Sequence, residues 1–162
     1  MSFNHIPAGD HIPEEFNVII EVPANGKPTK YEVDKELDML VVDRFMPSAM
    51  HYPANYGYVP STLADDGDPV DVLVLCPCDV QAGALLSARA IGMLHMTDEK
   101  GEDSKILAVP TDSVCIEYAH IKSLDDVSPI VLEQITHFFT HYKELEPNKW
   151  VKVREWVGKD AA

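Results

Sequence analysis

Residues Phe16, Val18, Ile20 and Val22 alternate with Asn17, Ile19 and Glu21, a period of two that predicts a strand. Pro23-Ala24-Asn25-Gly26-Lys27-Pro28 places Asn-Gly between two prolines and predicts a turn. Thr29 to Asp34 reads as the next strand. Further strand-like runs are Met39 to Phe45, Val70 to Cys76, Leu85 to Met96 and Ser104 to Val109. Many short strands joined by turns bearing Pro and Gly suggest a closed or nearly closed barrel. One helix follows. Ser128 is its candidate cap and Pro129 suits its first position, where a missing N–H is no loss. Leu132, Ile135, Phe139 and Tyr142 fall at spacings of three and four and form one apolar stripe. The helix is expected to end near Leu145, before Pro147. Lys149 to Val157 reads as a last strand. The class is mainly β with a flanking helix (α+β).

The 162 residues suit one domain, residues 1–162, and no Gly/Ser-rich linker or repeat divides them. No apolar run approaches the roughly 20 residues of a membrane span, so no membrane partner is expected. The N-terminal residues have neither a basic flank nor an apolar stretch, and the expected location is cytoplasmic. Cys76, Cys78 and Cys115 make an odd count, expected of reduced packing residues. Cys76-Pro77-Cys78 lacks the further ligand pair that zinc needs.

Charge changes the picture. The chain carries 27 acidic and 13 basic residues, net -14, which opposes nucleic acid and attracts metal cations. Four acids crowd into Asp65-Asp66-Gly67-Asp68-Pro69-Val70-Asp71. Two carboxylates about 5 Å apart repel by about 3 kcal/mol at an effective dielectric near 20. A loop that holds them together protonates one or binds cations, and magnesium takes such oxygens. The pattern is not an EF-hand, because Asp71 and Pro77 stand where that loop needs Gly and Glu. The loop can be a solvated acidic turn or half of a metal site. A second cluster, Asp98-Glu99-Lys100-Gly101-Glu102-Asp103, precedes Ser104-Lys105 and can be a solvated hairpin or the other half. Asp103 and Lys105 should share a strand face. Lys30 and Glu32 share a face, and Arg44 interrupts the mostly apolar run Leu40 to Phe45, where a charge is costly unless paired or facing a cavity. Acids and bases recurring together suit a small, highly anionic phosphate ligand bound with magnesium.

These residues resemble the family I soluble inorganic pyrophosphatases. The signature is Asp66-Gly67-Asp68-Pro69-Val70-Asp71-Val72, supported by Glu21-Val22-Pro23, Lys30-Tyr31-Glu32, Asp43-Arg44, Tyr52 to Tyr58, Asp98, Asp103-Ser104-Lys105 and Tyr142-Lys143. The matches run in family order over about residues 13 to 157. The resemblance implies a five-stranded OB-like β-barrel and hydrolysis of pyrophosphate with three to four Mg2+ ions. Asp66, Asp71 and Asp103 would hold the first ion, and Asp71 would share a second. Asp98 and Asp103 would serve one carried with substrate, and Glu21 and Glu32 would reach another, partly through water. Lys30, Arg44, Tyr56, Lys105, Tyr142 and Lys143 would bind phosphate groups. Asp68 would be the general base on a metal-bridging water, with Tyr52 supporting from behind. His137 and His141, four apart, lack the Glu of a metalloprotease helix. The resemblance implies a homohexamer in which this helix makes subunit contacts. Two other classes compete. A nucleoside triphosphate hydrolase lacks a Walker loop here. A non-catalytic binding barrel does not account for the interleaved Lys, Arg and Tyr.

Overall fold

The computed structural model describes residues 2–27 and 29–162, so Pro28 of the expected turn lies outside the described residues. The strands are β1 (Phe16–Val22), β2 (Thr29–Asp34), β3 (Met39–Phe45), β4 (Asn55–Tyr58), β5 (Asp71–Val74), β6 (Leu85–Asp98), β7 (Gly101–Glu102), β8 (Lys105–Pro110) and β9 (Val151–Gly158). The helix α1 is Pro129–His141. Pairing runs β1-β4-β5-β8-β6, and β6 pairs back to β1, so five strands close a ring. Only β5–β8 is parallel within it. This is the expected five-stranded barrel of a mainly β fold. The strands β7 and β9 extend β6, while β2 and β3 form a separate two-stranded sheet.

Alternation explains the layers. Phe16, Val18 and Ile20 of β1 meet Val72, Val74, Leu86, Ala88 and Ala108 in one cluster. The opposite faces supply Leu73, Leu107 and Val109. These pack with Ile91, Leu94 and Met96 against Ile135, Phe138, Phe139 and Tyr142 of the helix region. The helix stripe is therefore the lid of a second core, and a buried side chain such as Phe139 contributes about 1.5–3 kcal/mol. A third, smaller cluster of Phe3, Ile19, Val33 and Tyr58 attaches the β2–β3 hairpin to the barrel. Asn55, 1 % exposed, accepts from the Ala24 and Val80 amides and donates to the Cys78 carbonyl, anchoring the turn that feeds β2. Within that turn Asn25 takes φ 59°, the left-handed conformation that Asn tolerates.

Several expectations shift. The helix ends at His141 rather than near Leu145. The Tyr142 amide still reaches the Phe138 carbonyl, but the chain then tightens into turns, with Glu144 donating to His141 and Glu146 to Lys143. Ser128 makes no side-chain cap bond, although Pro129 does open the helix. The expected Val70 to Cys76 strand pairs only over Asp71–Val74. The Leu85 run extends to Asp98, bent by irregularities near Ala90–Gly92 and Leu94–Met96. The segment Asn55–Tyr58, read only as part of a Tyr- and Pro-rich stretch, is a ring strand buried at every position. There Gly57 is required, because a Cβ would collide with the Ile19 carbonyl of the neighbouring strand.

Candidate active site

The topology carries the acids to one rim. Parallel β5 and β8 begin side by side, and their first residues are Asp71 and Lys105. Antiparallel β6 ends beside them at Asp98. Asp103 sits just before β8, its amide bonded to the Met96 carbonyl. The acidic loop enters β5 through a tight turn, in which Asp66 Oδ1 accepts from the Asp68 amide at 3.0 Å. Gly67 takes φ 85° there with open space around it, so its role is conformational. From the hairpin come Lys30 and Glu32 on β2 and Arg44 on β3. Tyr142 and Lys143 follow the last residue of α1.

The catalytic, phosphate-binding and metal residues that the resemblance implies line one cavity of about 480 Å3: Glu21, Lys30, Glu32, Arg44, Tyr56, Asp66, Asp68, Asp71, Asp98, Asp103, Lys105, Tyr142 and Lys143. Tyr52 also lines it, as do Glu99 and Lys149, which sequence reasoning did not select. Glu99 was visible inside the second acidic cluster, whereas Lys149 stood in a segment read only as a strand start.

Ion pairs organise the walls. Lys105 Nζ, 3 % exposed, lies 2.7 Å from both Asp71 Oδ2 and Asp103 Oδ1 and 3.0 Å from the Tyr56 hydroxyl. Lys143 pairs with Asp98 at 3.1 Å and with Glu99 at 3.7 Å. Asp43 bridges Arg44 at 3.0 Å and Lys30 at 3.5 Å. Burial opposes the Lys105 charge, but Tyr56, Asp71 and Asp103 outweigh it and hold the ammonium well above its usual range. Its partner Asp103 is nonetheless raised, because burial outweighs Lys105 there. The ammonium is the better compensated end of this pair. Burial also raises Tyr56 and Tyr142, which keeps both phenols protonated as donors. At Asp98 burial is overcome by the Lys100 amide and Lys143, and its carboxyl is lowered. Glu21 is pushed up to about 8 by burial, with the Val33 amide bond as the main offset and Asp71 and Glu32 adding to the rise.

The cavity's acid donors are all carboxylates, with neither His nor Cys among them. Such a set suits magnesium rather than zinc. The elevation of Glu21 and Asp103 marks charge that a cation would relieve. Among the described residues no three His, Cys, Asp or Glu side chains draw together closely enough to enclose an ion. Asp71 and Asp103 are instead joined through Lys105. A second cavity of about 480 Å3 shares Asp66, Asp71 and Asp103 as a wall, but it is otherwise largely apolar and no Lys or Arg lines it. Of these two cavities only the first is lined by Lys and Arg that can pair with an anion. His137 and His141 lie away from both cavities, with ring centroids 4.5 Å apart and His141 Nδ1 2.6 Å from Glu144.

Comparison with known proteins matches residues 18–162 to the family model described as inorganic pyrophosphatase. The Pseudomonas aeruginosa protein named inorganic pyrophosphatase is 54 % identical over 162 residues, covering 100 % of this chain and 93 % of the relative. The structure of an inorganic pyrophosphatase from Coxiella burnetii superposes with a TM-score of 0.94 at 59 % identity, covering 96 % of this chain and 92 % of that one. The Thermus thermophilus inorganic pyrophosphatase structure gives a TM-score of 0.94 at 42 % identity, covering 99 % and 92 %.

Proposed function

The chain belongs to the inorganic pyrophosphatase family, and from that premise we propose that it hydrolyses inorganic pyrophosphate to two orthophosphates. The observation that carries the reading is one cavity with carboxylates along one part of its wall and Lys, Arg and Tyr along the rest. Pyrophosphate bound with magnesium needs both, since cations neutralise its oxygens and fixed donors hold the remainder.

Asp66, Asp71, Asp98, Asp103, Glu21 and Glu32 would hold three to four Mg2+ ions. When bound, these ions neutralise phosphate charge and make water more acidic. The chain's own groups do the rest. Asp68 takes the proton of the attacking water. It lies exposed at the loop tip, while Lys105 and Lys143 are engaged by other acids. Lys30, Arg44, Lys105 and Lys143 bind phosphate oxygens by charge, and Tyr56 and Tyr142 donate from protonated phenols. The leaving phosphate gains charge as the anhydride bond breaks, and these fixed donors stabilise it without reorganising. Tyr52, its ring tilted 33° to that of Tyr56 with centroids 5.1 Å apart, holds that ring in place.

In this reading residues 1–162 form one catalytic domain, active in the cytoplasm without nucleic acid or membrane partners. The charge of -14 supports the first exclusion, and among the described residues no helix is long and apolar enough to cross a membrane. The reading extends to a homohexamer with the His137–His141 face of α1 in a subunit contact. The direct test is phosphate release from pyrophosphate and from ATP, each with magnesium and with chelator. Magnesium-dependent release from pyrophosphate is expected. Its absence rejects the reading, and faster release from ATP favours a nucleotide hydrolase.

A further inference from the structure

We propose that Glu146 is a positioning residue that clasps Arg44 of the hairpin to the loop following α1, presetting that guanidinium for the substrate anion. The inference rests on the pyrophosphatase reading above. Glu146 belongs to no acidic cluster and follows the helix in an irregular turn, yet its side chain is only 8 % exposed. A carboxylate that well buried requires compensating charge. Its Oε1 lies 2.6 Å from Arg44 Nε and 3.6 Å from Lys149 Nζ. Its Oε2 accepts from Arg44 Nη2 at 3.5 Å. The Arg44 Nε–H has no aligned acceptor, so at Nε charge rather than a linear hydrogen bond acts. From the other side Asp43 accepts from Nη1 at 3.0 Å.

A guanidinium has five N–H donors, and these two carboxylates engage only part of the set. The remaining donors are left for an anion in the cavity that Arg44 lines. The clasp matters because β2 and β3 form a sheet of their own. The hairpin reaches the barrel through Val33 and the Glu21 bond to the Val33 amide, near the far end of β2 from Lys30. Arg44 and Glu146 are 102 residues apart in sequence. Their pairing therefore fixes hairpin cations relative to Tyr142 and Lys143, which precede Glu146. An arginine held in one rotamer loses less freedom when it binds phosphate, so removing its anchor weakens substrate binding more than it slows chemistry.

The test is steady-state hydrolysis of pyrophosphate with saturating magnesium by wild type, Glu146→Gln, Arg44→Gln and the double variant. The clasp predicts that Glu146→Gln raises KM about tenfold with kcat within about threefold. It also predicts that Glu146→Gln adds nothing once Arg44 is replaced, because the first acts through the second. An unchanged KM, or effects that multiply in the double variant, overturns the proposal. If Glu146→Gln does not fold, Glu146→Asp keeps the buried charge and withdraws it by one methylene. That variant should show an intermediate KM, and a wild-type KM overturns the clasp. Wild type without activity on pyrophosphate rejects instead the reading beneath it.

Discussion

The barrel rim and the β2–β3 hairpin both present cations to the cavity, but they hold them differently. On the rim Lys105 is 3 % exposed and fixed between Asp71 and Asp103 by pairs of 2.7 Å. On the hairpin Arg44 is 25 % exposed and Lys30 27 %, and their partners lie mostly at 3 Å or more. The rim's charges are set by ladder register, since β5 and β8 start together and β6 ends beside them. The hairpin's charges are set by side-chain pairing on a sheet that the barrel does not extend. The difference is that the rim's cation is locked into the barrel's own ladder, while the hairpin's cations depend on side-chain partners.

Replacing the rim lysine is the most damaging way to probe that contrast. Lys105→Met leaves buried Asp103 and half-buried Asp71 without their shared cation, and a broken buried pair costs about 3 kcal/mol or more. Urea unfolding in chelator should show that loss, and added magnesium should narrow it by supplying replacement charge. Equal stability of the variant and wild type in chelator would contradict the structural role of the rim. Next in size is Asp68→Asn, which should lower kcat about a hundredfold, the scale of general-base catalysis, without loss of stability. Wild-type turnover would remove Asp68 from the role. Arg44→Gln should cost less stability than Lys105→Met, because Asp43 is 31 % exposed and Lys149 remains 3.6 Å from the buried Glu146. A larger loss in urea would show that the hairpin is as integral as the rim.

A separate effect is a slope with pH. Glu21 is raised from 4.5 to about 8 in the folded protein. Between those values the folded state holds a proton that the unfolded state has released. The stabilisation is complete below about 4.5 and is lost as pH climbs through about 8. Its steepest contribution is about 1.4 kcal/mol per pH unit. Glu21→Gln should flatten that slope in urea titrations performed in chelator, and an unaltered slope would place the proton elsewhere.

Much of the cavity was legible because its chemistry is local. The loop Asp65 to Asp71 compresses four acids around a glycine and a proline, and no fold is needed to see that they require compensation. Lys105 was likewise readable from its spacing to Asp103. The strand Asn55–Tyr58 was not, because all its positions are buried and no alternation marks it. Closure of the ring was suggested by strand count and by the family resemblance, not by a pairing signal, since the β1–β6 pairing that completes it joins distant segments. Glu146 carried no signal either. Its function arises from a contact across 102 residues, just past the expected helix end near Leu145.

The central claim is that one cavity gathers cations on carboxylates from several loops and an anion on the opposing Lys, Arg and Tyr. Crystals grown with Mn2+ and pyrophosphate, measured at the manganese absorption edge, test it most directly. The account predicts anomalous peaks against Asp66, Asp71 and Asp103, with phosphate density against Arg44, Tyr142 and Lys143. Metal peaks confined to other surfaces, or phosphate bound away from these side chains, would contradict it.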